Sequence, residues 1–167
     1  MNLISVGIGE FAISQSPKDC LITYALGPCL GVVAYDADRT IAGLVHCQLP
    51  LSLDDPEQAK IRPARYVDSG VSLLLDQMLK CGASLNSIAI CVAGGAQVSA
   101  GEGIYKIAQR NHTVFRKLMW KNSLVVGAEE VGGDRPRTMS IEVGTGNVYL
   151  VKDRIKELFF QASLCNA

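Results

Sequence analysis

The chain has 167 residues, a length typical of one domain that buries its own core. Its 16 lysines and arginines equal its 16 aspartates and glutamates, so the basic excess typical of nucleic-acid or anionic-membrane partners is missing, and we expect neither. Apolar residues make up 49% of the sequence, but no run approaches the roughly 18 apolar residues of a membrane span. The N-terminus also lacks the features of a signal peptide. We therefore predict a soluble, cytoplasmic protein without membrane insertion.

In chain order, short β-type runs dominate the first third, and no internal repeat or linker divides the sequence, so we expect one domain over residues 1–167. The predicted strands are Leu3–Gly7, Phe11–Ser14, Leu21–Ala25, Leu30–Tyr35 and Ile41–Gln48. A polar, proline-bearing segment, Pro50–Ala64, follows and is predicted to be a loop. Loops of that length are often functional or mobile.

Two amphipathic helices are predicted, from about Tyr66 to Lys80 and from about Ile104 to Trp120. The apolar stripe of the second consists of Ile104, Ile107, Ala108, Phe115, Leu118 and Met119. Asn111 falls within that stripe, an unusual place for an amide. The remaining predicted strands are Ile88–Val92, Leu124–Val126, Thr138–Val143 and Val148–Val151. Two helices among many strands favour an α+β fold, with helices covering a mostly antiparallel sheet.

The six cysteines form no C-x-x-C pair, and an even count alone does not imply disulfides in a cytosolic chain. They are Cys20, Cys29, Cys47, Cys81, Cys91 and Cys165. All but Cys29 and Cys165 lie in or beside apolar runs, where a free cysteine behaves as a small core residue. The same interpretation applies to Cys29 unless another feature singles it out.

That feature is the position of His46. His112, the other histidine, is predicted to lie mid-helix at the surface. The segment Leu30–Gln48 predicts a hairpin folded about Asp36–Arg39. If the paired residue numbers sum to 75, Cys29 faces His46 with Cβ atoms about 4.5–5.5 Å apart. A slip of one residue would place the two side chains on opposite faces.

A cysteine beside a histidine has a specific chemical use. The thiolate is the nucleophile, an imidazolium lowers the cysteine pKa, and the same histidine can protonate a leaving amine. Gly27-Pro28 predict a sharp approach that exposes the thiol, and backbone N–H groups near Cys29 are placed to stabilise an oxyanion. The alternative is a core cysteine beside a structural histidine.

Sites for metals or cofactors are not expected. A zinc site built from Cys20, Cys29, His46 and Cys47 would need irregular ligand spacing. Gly7-x-Gly9 lacks the third glycine and the strand-then-helix context of a dinucleotide fingerprint. No Gly-Lys-Ser/Thr follows the glycines after Ala93, which argues against a phosphate loop.

At these residues and at others along nearly its whole length, the sequence resembles the CheD family of chemoreceptor glutamine deamidases. The similarity rests on the spacing of threonine, glycine, cysteine and histidine and on several later motifs. The matching residues are Thr23, Gly27, Cys29, His46, Leu49-Pro50, Arg65-Tyr66-Val67-Asp68, Gly94-Gly95-Ala96, Arg110-Asn111, Gly132-Gly133, Arg135 and Arg137.

The resemblance implies an α/β/β layered sandwich like the catalytic domain of deamidating bacterial toxins. It implies Cys29 as nucleophile, His46 as base and Thr23 as the residue that orients the imidazole. The implied reaction converts glutamine side chains of chemoreceptor cytoplasmic helices to glutamate through a thioester, and it extends to glutamyl methyl esters. A phosphatase of the CheC type is the implied regulatory partner.

The chain departs from the family pattern at two places. Pro28 stands where the family usually has serine, which removes a hydroxyl and a backbone donor. Val98-Ser99 stand where the family commonly has Met-Phe, near the surface that docks CheC. An alternative function is therefore a regulatory module that binds a receptor or phosphatase without turnover, and a third hypothesis is that the cysteines merely pack.

Overall fold

The computed structural model describes residues 1–97 and 101–162, without the side chains of Ile104 and Tyr105. The described strands are β1 (Asn2–Ser5), β2 (Phe11–Ser14), β3 (Asp19–Leu26), β4 (Leu30–Asp36), β5 (Ile41–Cys47), β6 (Ile88–Gly94), β7 (Val126–Val131), β8 (Arg137–Glu142), β9 (Asn147–Lys152) and β10 (Ile155–Gln161). The α-helices are α1 (Pro56–Ile61), α2 (Val67–Lys80) and α3 (Glu102–Lys121). Short 3-10 helices cover Ser52–Asp54 and Pro63–Arg65.

The strands form two five-stranded sheets. The central sheet has the order β2-β5-β4-β6-β7 and the outer sheet the order β1-β3-β8-β9-β10. All neighbours are antiparallel except β1 with β3 and β6 with β7. One face of the central sheet packs on the outer sheet, and α2 and α3 cover its other face. The structure therefore confirms the α+β prediction and arranges it as helix, sheet and sheet layers.

Side chains along β4 and β5 point alternately to the two faces of the central sheet, and so contribute to two hydrophobic cores, one between the sheets and one under the helices. In β5, Ala42 and Leu44 face the outer sheet, whereas Ile41 and Val45 face the helices. Both strands are buried along their whole length because each face has a partner layer. A cross-sheet hydrogen bond joins the Tyr35 hydroxyl to the Val143 carbonyl at 2.9 Å.

Several predicted elements need correction. Pro50–Ala64 is not a plain loop, because α1 lies within it; that helix is short and has no buried residue, so it leaves no apolar periodicity. The strand predicted at Leu124–Val126 is instead β7, which begins at Val126. The strand β10 is missing from the prediction because most of its residues are exposed at the sheet edge. Cys81 is exposed, not a core residue, while Cys165 lies outside the described residues.

The predicted hairpin register is also wrong. Residues of β4 and β5 pair with numbers that sum to 77, so Gly31, not Cys29, lies opposite His46. The connecting loop is residues 37–40 and ends at Thr40 with φ +54°. This shift of two residues leaves every side chain on its predicted face, since the strand period is two.

The close contact of α2 with the central sheet depends on Gly43. A Cβ built on Gly43 would lie 2.8 Å from both Leu74 Cδ1 and Met78 Sδ, so a side chain there would force these two buried side chains to shift. Among the described residues, no helix is both long and apolar enough to cross a membrane.

We expect Gly43→Ala to lower the free energy of unfolding by about 1–3 kcal/mol, because it overpacks the interface between α2 and β5. Gly103→Ala is the matched control. A Cβ at Gly103, near the start of α3, meets nothing within 4 Å, so this change should stabilise the protein by up to about 1 kcal/mol. Urea unfolding of both variants measures the difference. Equal effects would contradict the close-packing interpretation.

Candidate active site

Cys29 lies at the end of a short connection between β3 and β4, and its backbone is held by hydrogen bonds at three successive carbonyls. Ala96 N donates to the Gly27 carbonyl at 2.7 Å, and Gly95 N donates to the Cys29 carbonyl at 2.9 Å. Between them, the Pro28 carbonyl accepts from Asn111 Nδ2 at 2.9 Å. The backbone before the thiol therefore has little freedom to rotate.

The glycine turn that supplies two of these donors requires glycine. Gly94 has φ +120°, and a Cβ there would lie 2.1 Å from the Cys29 carbonyl oxygen. The Gly94 carbonyl accepts from Gly132 N at 2.9 Å and from Arg137 Nη1 at 3.2 Å. Arg137 is buried and also pairs with Glu130. These contacts bring the glycine and arginine motifs of distant segments together behind Cys29.

His46 points from β5 into the layer between the two sheets, where it meets Thr23 of β3. Thr23 Oγ1 lies 2.7 Å from His46 Nδ1 and 2.7 Å from the Val6 carbonyl oxygen. The short contact with that carbonyl requires the threonine proton, so Oγ1 must accept at Nδ1. This network assigns the proton to Nδ1 and leaves Nε2 with a free lone pair.

Cys29 and His46 enter the same layer between the sheets. Cys29 is 6% exposed and belongs to the inter-sheet core, and His46 is 1% exposed. Among the described residues, His46 Nε2 is buried and has no hydrogen-bond partner. The Cys29 thiol therefore makes no hydrogen bond to His46 Nε2.

Burial keeps both groups neutral. It raises the pKa of the Cys29 thiol from 9.0 to about 11, and the N–H of the same residue lowers that pKa by less. Burial also lowers the pKa of His46 from 6.5 to about 4. The resting pair is therefore a thiol and a neutral imidazole, not the thiolate and imidazolium expected from the sequence.

The segment after His46 is anchored through Gln48 and α2. Gln48 Oε1 accepts from Arg65 Nε at 2.9 Å, and Gln48 N donates to the Arg65 carbonyl at 2.8 Å. Asp68, in the first turn of α2, accepts from Ser52 N and Ser52 Oγ. Tyr66 is buried next to this segment. The predicted motif at residues 65–68 therefore fixes the strand end that carries the histidine.

Asn111 contacts the site, a role that the sequence analysis did not predict. It is completely buried, and its Nδ2 donates to the Pro28 carbonyl and, at 3.0 Å, to the Gln48 carbonyl. His112, by contrast, is partly exposed as predicted and pairs with Glu129. The sequence offered two signals for this residue, the amide within the apolar stripe and the Arg110-Asn111 match to the family, but neither identifies the partner carbonyls.

Within residues 1–97 and 101–162, no group of three or more histidine, cysteine, aspartate or glutamate side chains is arranged to hold a metal ion. Val98 and Ser99 lie outside the described residues. Pro28 lacks an N–H, and its carbonyl is the one that Asn111 holds.

The lowered pKa of His46 predicts a pH-dependent stability. The buried neutral imidazole contributes fully to the free energy of unfolding above about pH 6.5. This contribution is lost as the pH falls towards about 4, because the unfolded chain then binds a proton that the folded protein excludes. The expected loss is roughly 2–4 kcal/mol. Urea unfolding of wild type and His46→Gln across this range measures it. If the difference between them does not change with pH, the buried neutral imidazole is refuted.

Comparison with known proteins gives a consistent result for the sequence. Residues 48–152 match the family described as CheD chemotactic sensory transduction. A Solibacter usitatus protein named "Probable chemoreceptor glutamine deamidase CheD" is 34% identical over 95% of this chain and 94% of its own. A Syntrophus aciditrophicus protein named "Probable chemoreceptor glutamine deamidase CheD 1" is 36% identical over 90% of this chain and 94% of its own.

A solved structure of a Neisseria meningitidis protein from the DUF152 family covers 78% of this chain and 58% of its own, at 10% identity and a TM-score of 0.37. That likeness is too weak to support an argument about function. The sequence matches are decisive, because they combine a family match over residues 48–152 with relatives above 30% identity along nearly the full chain. The chain belongs to the CheD family.

Proposed function

We propose that this protein is a cytoplasmic hydrolase that converts glutamine side chains of chemoreceptor cytoplasmic helices to glutamate. The activity is taken from the names of its relatives. The observation that carries the proposal is the Thr23–His46 hydrogen bond, which leaves a basic Nε2 in the layer that holds the Cys29 thiol. We include in the proposal one CheD-like domain over residues 1–167, similar to the catalytic domains of deamidating toxins.

In the first step, His46 Nε2 takes the proton of the Cys29 thiol as the sulfur attacks the side-chain amide carbon of the substrate. A neutral base suits this step, because a histidine with a lowered pKa is unprotonated at neutral pH. The negative charge develops on the amide oxygen. The backbone N–H of Cys29 is the proposed donor to that oxygen, since Pro28 has no N–H to offer.

In the second step, the histidine returns the proton to the amide nitrogen, the C–N bond breaks and ammonia leaves a thioester on Cys29. Water then attacks the thioester carbon, gives a proton to His46 and releases glutamate, while the sulfur regains its proton. The same route hydrolyses glutamyl methyl esters, with methanol as the leaving group. Thr23 holds the imidazole in the required tautomer throughout.

A phosphatase of the CheC type remains a proposed partner. It rests on the family resemblance alone. The alternative function is a regulatory module that binds a receptor or a phosphatase without turnover, and a deamidation assay distinguishes it from an enzyme.

The proposal predicts that the purified protein converts glutamine to glutamate in the cytoplasmic domain of a chemoreceptor from the same cell. Peptide mass spectrometry detects the mass change at each site. We expect no detectable conversion by Cys29→Ala. The matched control is Cys91→Ala, another buried cysteine of the inter-sheet core, which should retain activity. A folded wild-type protein that binds the receptor without converting it would be a regulatory module.

The orienting role of Thr23 predicts a difference between a variant that keeps its hydroxyl and a variant that keeps only its shape. Thr23→Ser keeps the hydroxyl that accepts from His46 and donates to the Val6 carbonyl. Thr23→Val leaves both groups unpaired in a buried site, so we expect its kcat to fall by at least about tenfold relative to the serine variant. Steady-state deamidation kinetics measure this ratio. Equal kcat values in the two variants would refute orientation through the hydroxyl.

A further inference from the structure

The amide of Asn111 lies at the point where β4 and β5 separate. The paired part of the hairpin ends at Leu30 and Cys47, so Cys29 and Gln48 would form the next pair. Asn111 instead donates one hydrogen bond to the Pro28 carbonyl and one to the Gln48 carbonyl. A single NH₂ group thus bridges the strand end before the nucleophile and the strand end after the base.

The orientation of this amide follows from its partners. Nδ2 faces two carbonyl oxygens, and the flipped amide would place oxygen against oxygen. Asn111 is completely buried on the face of α3 that carries Ala108 and Phe115. Burying an amide there costs free energy unless its hydrogen bonds are made. Nδ2 makes both of its hydrogen bonds, whereas Oδ1 is buried without a partner among the described residues, so the two carbonyls are what offset the cost of burying this side chain.

The bond to Pro28 has a consequence for Cys29. The Pro28 carbonyl and the Cys29 N–H belong to one planar peptide unit, and the described peptide bonds are all trans. In a trans unit the two groups point in opposite directions, so fixing the carbonyl also fixes the N–H. The neighbouring carbonyls of Gly27 and Cys29 are held by backbone donors, whereas this one is held by a side chain.

We propose that Asn111 is a positioning residue of the active site, which aims the backbone N–H of Cys29 at the developing oxyanion by holding the Pro28 carbonyl. This inference rests on the proposed function, because the oxyanion is formed in the deamidation. Its second bond, to Gln48, fixes the distance between the strand ends that carry Cys29 and His46. Asn111 itself touches neither the substrate nor the thiol.

Such a residue acts on the transition state more than on substrate binding. Removing one oxyanion donor costs roughly a hundredfold to a thousandfold in kcat, and a misdirected donor costs part of that. We therefore expect Asn111→Leu, which has a similar shape and no donors, to lower kcat by about 10- to 100-fold with KM within about twofold. Steady-state kinetics on the receptor domain give both values.

The matched control is Phe115→Leu, one turn further along α3. Phe115 is fully buried in the helix-side core, so its truncation loosens the same helix without removing a hydrogen bond at Cys29. We expect a loss of unfolding free energy but a kcat near that of wild type. If Phe115→Leu lowers kcat as much as Asn111→Leu does, Asn111 acts only through stability and the proposal is overturned. A wild-type kcat in Asn111→Leu overturns it as well.

Asn111→Asp provides a second test should the leucine variant not fold. An ionised aspartate has no donor, whereas a protonated one supplies a single hydrogen bond. Its kcat relative to wild type should therefore rise as the pH falls from about 7 to about 5, a range that reaches the raised pKa of a buried carboxyl. A pH-independent ratio overturns the proposal.

A measurement on the Cys29 thiol distinguishes a failure of the proposed function from a failure of the positioning role of Asn111. The Cys29 N–H lowers the pKa of its own thiol, so a misdirected N–H should move the pH profile of Cys29 alkylation by iodoacetamide to higher pH in Asn111→Leu. The alkylation is followed by mass spectrometry and needs no deamidase activity. If wild type lacks deamidase activity but the profile still shifts, the proposed function fails, although Asn111 does orient the Cys29 N–H. An unshifted profile with an active wild type refutes the positioning role.

Discussion

The hydrogen bonds to three successive carbonyls around Cys29 are the constraint on which the rest of the site depends, because they restrict rotation of the backbone at the proposed nucleophile. Two donors come from the turn after β6 and one from α3, so the thiol is held from two directions. The turn itself needs Gly94, whose missing side chain lets the Cys29 carbonyl approach. Gly132 and Arg137 in turn hold the Gly94 carbonyl. The remaining parts of the site depend on this arrangement.

The layered fold explains how distant segments reach one place. His46 is on the central sheet and Thr23 is on the outer sheet, so their hydrogen bond forms only when the two sheets pack face to face. The proton assignment on the imidazole also depends on the Val6 carbonyl, just beyond β1. The helix layer contributes Asn111 from the opposite side of the central sheet. Each of the three layers therefore contributes at least one group to the site.

Local patterns predict the parts of this structure whose side chains alternate between a buried and an exposed face or lie on one helical face. The strand β2 and the bounds of α2 follow from the sequence to within a residue. The strand β10 does not, because an exposed edge strand has no apolar periodicity, and the loop length that sets the hairpin register is not encoded in the strands. Thr23 as a partner of His46 came from the family resemblance, since no spacing relates two different sheets. Asn111 was recognisable as unusual, but its carbonyl partners were not.

The raised pKa of Cys29 has a consequence outside catalysis. With a pKa of about 11, only about one molecule in ten thousand carries the thiolate at neutral pH. Peroxide attacks the thiolate and not the thiol, so the resting cysteine reacts slowly with oxidants even though it is nucleophilic in the proposed reaction. Its almost complete burial adds a steric barrier. Burial therefore protects the Cys29 thiol from peroxide in two ways, by suppressing the thiolate and by blocking access to the sulfur.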